Sequence, residues 1–171
     1  MMNFFLPLLS LVALVPLAFA QEAAPVPQKP LAVWSFDKLL GDAPSMKMVH
    51  EPVAGIHVPI QGFPTLVEGV SGNALKLDGL ATHLVHPANK APVLGEAFSF
   101  EGWIALQEYP WNNAAIVNQE RDQKEGWFFG VSGEGRLGLH VAKDGKWIKC
   151  DSKSRLPLLQ WAHVVGTYDP A

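Results

Sequence analysis

From Ala74 onward, apolar and polar residues alternate in short runs, and each run closes on Gly, Asn, Asp or Pro. The runs are ALKLDG, THLVHP, FSFEGWIAL, AAIVNQ, GWFFGVSG, RLGLHVA, KWIKCDS and WAHVVGTYD. Alternation with a period of two is the strand pattern, and many short strands at spacings of about 8–12 residues predict a β-sandwich or barrel. No stretch keeps a 3.6-residue apolar period for three turns, so no helix is expected. Upstream, LAVWSFD (31–37) has strand composition. A Pro- and Gly-rich passage then runs to about Gly72 and holds short extended pieces such as GIHVPI.

Two segments can be read to the residue. In RLGLHVAKDGKWIKCDS, Asp144-Gly145 sits between strand-like arms, the dipeptide that favours a two-residue type I′ hairpin. That turn sets Val141 against Ile148, Leu139 against Cys150 and Leu137 against Ser152. Leu137, Leu139, Val141, Ile148 and Cys150 then make a core face, which places Cys150 in the interior. His140, Ala142, Trp147, Lys149 and Asp151 make a largely wet face, and a one-residue slip would exchange the two. In FSFEGWIAL, Phe98, Phe100, Ile104 and Leu106 share one side and Ser99, Glu101 and Trp103 the other. Trp103 and Trp147 therefore both sit on the less apolar faces of their strands, where an indole can stack on a sugar ring or pack under a loop or a neighbouring domain.

The ends and the composition narrow the class. MMNFFLPLLSLVALVPLAFA (1–20) has no charged side chain and ends on Ala18-Phe19-Ala20, the pattern of a secretory signal peptide. Pro7 and Pro16 interrupt the run, which argues against a membrane span of about 20 apolar residues. Export follows as the expectation, to the periplasm, cell surface or medium, with no membrane span after cleavage. Residues 21–30 (QEAAPVPQKP) read as an extended linker and 31–171 as one domain with a core of its own. The net charge of −3 comes with no Lys/Arg stripe, which excludes nucleic acid as a partner. The single cysteine, Cys150, excludes an intrachain disulfide.

Candidate chemistry is sparse. ERDQKE (120–125) fits an E-x-D-x-x-E string, but two cooperating carboxylates need a common strand face with the residues between them buried. Arg121, Gln123 and Lys124 cannot be buried that way, so the string reads as a solvated loop. His83 and His86 are three apart on an expected strand and face opposite ways. No H-E-x-x-H, nucleophile elbow or phosphate loop occurs, and no catalytic set is visible. EYPWNNAA (108–115) is the best binding candidate. It joins two expected strands and presents Trp111 beside the amides Asn112 and Asn113, a set suited to a sugar, while Asn oxygens suit calcium.

GVSGNALKLDG (69–79), FSFEGWIAL, GWFFGV, GKWIKC and WAHVVGTYD resemble, in this order, the landmarks of laminin-G-like, concanavalin-A-type jelly-roll domains. The chain looks most like the variant found in bacterial secreted proteins, often joined to glycoside hydrolases. The resemblance implies an all-β fold, a two-sheet antiparallel jelly roll, used to bind carbohydrate or protein. Trp103, Trp111, Asn112, Asn113 and Trp147 are the expected ligand-binding residues, with a polysaccharide or glycan as partner. Some relatives, such as pentraxins, hold calcium on an Asp-Asn pair in the loop after the strand that FSFEGWIAL resembles. Asn113 falls near that position, but the Asp is missing. Relatives also continue past GTYD into further strands, so the domain is expected to be incomplete at its C-terminus and to belong to a longer extracellular protein. Asp78 of LDG is expected to serve its own turn.

Overall fold

The computed structural model describes residues 29–43 and 46–170. The expected signal peptide and nearly all of the linker lie outside the described residues. Eleven strands follow in order: β1 (Met48–Glu51), β2 (Ile56–Gln61), β3 (Thr65–Glu68), β4 (Asn73–Lys76), β5 (His83–Leu84), β6 (Phe98–Ala105), β7 (Ala114–Asn118), β8 (Trp127–Val131), β9 (Arg136–Lys143), β10 (Lys146–Arg155) and β11 (Trp161–Tyr168). Every strand pair is antiparallel. The described residues include no α-helix. The expected all-β fold is what the chain adopts, with each run from ALKLDG to WAHVVGTYD containing a strand.

The sheets are β1-β2-β5, β3-β4, β10-β9-β8-β7 and the ribbon β11-β6. In the first, Val49, Val58 and Ile60 point inward and are almost fully buried. Glu51 is buried with them, at 0% exposure. Its carboxylate accepts the main-chain N–H groups of Val33 (3.0 Å), Val53 (2.9 Å) and Ala54 (2.7 Å). That arrangement explains one departure from expectation. LAVWSFD forms no strand, because Val33 donates to a side chain instead of a ladder partner, and Ser35, Asp37 and Asn73 bond to one another nearby. Asp78 turns the chain as expected, its Oδ1 accepting the N–H groups of Leu80, Ala81 and Thr82.

The second core lies between the β6–β11 ribbon and the four-stranded sheet. Phe100 packs on Trp127 (ring centres 4.4 Å apart) and stacks on Phe129 (5.6 Å), and Phe98 meets Tyr168 (5.2 Å). Phe129, Val131 and Val164 are at most 2% exposed. Gly166 allows the close approach, since a Cβ there would lie 2.7 Å from the Phe129 ring. The Asp144-Gly145 turn forms with φ of 52° and 69°, and the pairs Val141–Ile148 and Leu139–Cys150 appear as the turn requires. The register then shifts after Asp151, so Leu137 does not pair with Ser152 but donates its N–H to the Ser152 hydroxyl.

The two faces of this hairpin depart from the alternation in opposite ways. Cys150 is exposed, and so is Ile148. Both belong to β10, at the margin of the sheet, whereas the ribbon covers β8 and β9; the inner face of β10 extends past its cover. On the other face, His140 is only 5% exposed and Trp147 is half-buried. That face is roofed by its own aromatic rings and is not simply wet.

Candidate functional site

The outer face of the four-stranded sheet is built by register. Phe128 on β8 pairs with His140 on β9, which pairs with Lys149 on β10, while Asn118 on β7 pairs with Phe128. WFFGV places consecutive phenylalanines on opposite faces, so Phe129 enters the core and Phe128 faces outward beneath His140. The Phe128 and His140 ring centres are 5.3 Å apart, and Trp147 meets His140 edge-on at 6.1 Å. His140 Nε2 lies 2.8 Å from Asp151 Oδ1. Gly138, between them, has no side chain for a reason: a Cβ would stand 2.5 Å from Asp151 Oδ1 and 2.8 Å from His140 Nε2.

Two loops complete a cleft of about 290 Å3 over this face, lined by Asn112, Asn113, Asn118, Glu120 and Gln123 together with Phe128, His140 and Trp147. The β6–β7 loop is anchored by Tyr109, whose hydroxyl donates to the Leu156 carbonyl (2.9 Å) and whose ring lies under the Arg155 guanidinium. Beyond that anchor Trp111 stands 99% exposed. The β7–β8 loop carries the E-x-D-x-x-E string as the turn expected of it. Asp122 and Gln123 take positive φ, Arg121 pairs with Glu125 in solvent, and Glu120 Oε2 accepts the Gln123 N–H.

Of the residues singled out from sequence, Asn112, Asn113 and Trp147 come together in the cleft, and Trp111 projects beside it from the same loop. Trp103 lies elsewhere. It is on the outer face of the β6–β11 ribbon, half-exposed, with His163 opposite it at 5.1 Å and Val165 and Trp161 on the same face. Phe128, His140, Asn118, Glu120 and Gln123 were not foreseen. The adjacent phenylalanines of WFFGV could have revealed Phe128; the loop residues had no such signal.

The lining is poor in the carboxylates that calcium sites usually use. Among the lining residues Glu120 is the single carboxylate, and the oxygens of Asn112, Asn118 and Glu120 accept the N–H groups of Asn113, Glu120 and Gln123. Calcium takes 6–8 converging oxygens, usually with several carboxylates among them. Among the described residues no three His, Cys, Asp or Glu side chains cluster as a metal site. A mainly polar lining of amides and one carboxylate, over buried Phe128 and His140 and beside half-buried Trp147, suits a different task, hydrogen bonding to a polyhydroxylated molecule with Trp147 as the one floor ring open to it.

No helix among the described residues is long and apolar enough to cross a membrane. No curated protein and no solved structure matches the chain. The Laminin_G_3 family model, described as concanavalin A-like lectin/glucanases superfamily, matches residues 78–171, which run from the Asp78 turn through the ribbon and the whole four-stranded sheet. With the antiparallel sandwich, this match over more than half of the sequence establishes that the chain belongs to the concanavalin A-like lectin/glucanases superfamily.

Proposed function

We propose that the protein is a non-catalytic carbohydrate-binding or adhesion module, exported from the cell, which holds a glycan in the cleft over β7–β10. One observation carries the reading: the cleft joins Trp147, His140 and Phe128 to four side-chain amides and Glu120, with exposed Trp111 at its side. Superfamily membership supports a binding module of this kind. The signal-like leader supports export, and residues 31–171 then serve as a targeting unit, in one version beside a glycoside hydrolase. The test is affinity electrophoresis against soluble neutral β-glucans, xylans and galactomannans, with Trp111→Ala and Trp147→Ala alongside. Retardation by at least one polysaccharide, weakened in both variants, is expected. Folded protein that no polysaccharide retards would refute the reading.

A second reading has its own support. The ribbon's outer face exposes Trp103, Trp161 and Val165 together, an aromatic and aliphatic surface suited to packing on a neighbouring protein domain. It predicts that Trp103→Ala leaves polysaccharide retardation unchanged.

A further inference from the structure

The first sheet carries a feature separate from the cleft. β1 and β2 pair so that His50 stands directly opposite His57. Alternation turns Val49, Glu51, Val58 and Ile60 inward and leaves both histidines exposed. Their ring centres are 5.4 Å apart, with planes at 66°. Two imidazoles on one ion, with metal–nitrogen bonds of about 2.0–2.1 Å, place their ring centres roughly 5 Å apart around a tetrahedral ion and roughly 4.5 Å apart when cis on a tetragonal one. The rings are therefore within reach of a shared ion once the side-chain torsions turn a nitrogen of each toward it.

The scaffold under the pair is stiff. Glu51 is adjacent to His50 and ties down the main chain at Val33, Val53 and Ala54, which fixes the turn joining the two strands. Met48 lies two residues before His50 on the same face, opposite Pro59 and diagonal to His57. The other outward residues of these strands are Pro59 and Gln61, so neither strand turns a carboxylate toward the pair. His83 pairs with Gln61, four residues along β2 from His57, and its Nδ1 is bonded to the Ala81 carbonyl.

We propose that His50 and His57 form a chelating site for copper, with the Met48 thioether as third donor. Imidazole pairs bind late first-row divalent ions with Cu2+ the tightest, and a thioether adds preference for Cu+. Calcium and magnesium require several oxygen ligands, and the outward side chains of these two strands include no carboxylate.

The test uses the full chain carrying Cys150→Ser, because the exposed thiol would itself bind or reduce copper. Calorimetric titration should find Cu2+ held more tightly than Zn2+, and the electron paramagnetic resonance spectrum should show coupling to two imidazole nitrogens. Two ligands held together gain about 10²–10⁴ in affinity over one. His50→Gln or His57→Gln should therefore weaken Cu2+ binding by about 10²-fold or more. Both positions are exposed, so native circular dichroism is expected of each variant. In the unsubstituted pair, Cu2+ should also broaden the ring resonances of His50 and His57 before those of the other histidines. Met48→Leu should weaken Cu+ more than Cu2+, and equal Cu+ affinity would remove Met48 from the site. Undiminished Cu2+ affinity in a chain carrying both His50→Gln and His57→Gln, or His50 and His57 resonances that broaden last, would overturn the proposal.

Discussion

Glu51→Gln should destabilise the protein in a pH-dependent way. The carboxylate is fully buried and accepts three main-chain N–H groups, two at Oε1 from Val33 and Val53 and one at Oε2 from Ala54. Burial pushes its pKa up, but the N–H groups of Ala54, Val33 and Val53 and the charge of His86 outweigh it and hold Glu51 below the usual value. Glutamine keeps the shape and one oxygen. With that oxygen toward Val33 and Val53, its NH2 confronts the Ala54 N–H; turned over, it confronts two donors instead. The better arrangement loses one charge-assisted hydrogen bond, weakens two and leaves a donor unpaired, a cost of about 2–4 kcal/mol. At a urea m value of about 2 kcal/mol/M, the midpoint falls by about 1–2 M. Trp34, next to the Val33 donor and edge-on to His86, provides a local fluorescence probe. Because the folded pKa is depressed, the contribution is complete above the unfolded value of about 4.3 and fades as pH falls through the folded one. Below both, protonated Glu51 resembles glutamine, and the two unfolding curves should converge. A difference under about 0.5 kcal/mol at pH 7, or one that stays constant down to strong acid, would refute the reasoning.

Other expectations are more direct. Phe129→Ala should cost about 3–5 kcal/mol, read by urea unfolding, because the ring is 1% exposed and stacks on Phe100. Gly166→Ala should lower stability by about 1–3 kcal/mol by driving a methyl into the Phe129 ring, with Phe129→Leu recovering part of the loss. Asp78→Ala should lower the melting temperature at neutral pH, since the N–H groups of Thr82, Leu80 and Ala81 hold that carboxyl well below the usual carboxylate range against the opposing effect of desolvation. Its contribution is present above the unfolded pKa and lost only in strong acid, so the difference from the parent should persist at pH 5. Trp111→Ala should weaken glycan retardation with an unchanged melting temperature, because that ring is 99% exposed.

Much of the fold was legible because its signals are local. Strand alternation, Asp144-Gly145 and the Asp78 turn each act within a few residues, and the hairpin register from Lys143–Lys146 to Gly138–Asp151 follows from the turn alone. What was not legible depends on distant partners. The segment 31–37 has strand composition, yet its one inward-reaching N–H bond goes to Glu51, which lies 18 residues from Val33. Alternation at β10 identified which residues share a face, but whether that face is covered depends on how far the ribbon reaches. Cys150 and Ile148 are apolar and correctly paired, and still exposed.

The cleft was half legible for the same reason. Asn112, Asn113 and Trp147 could be chosen by type, as amides on a loop and an indole on an outward strand face. The features that turn them into a site are relational. His140 looks like a surface residue of a wet face, but Phe128 comes to it from β8 and Asp151 from β10, and together they bury it. Gly138 admits that contact and would be anonymous in the sequence without it. Trp103 shows the converse, since its strand alternates as cleanly as that of Trp147 and still opens on the far side of the molecule's second core. An outward aromatic in a sandwich therefore identifies a face with no core behind it to occupy, and only the pairing of sheets decides which outward aromatics can meet the same ligand.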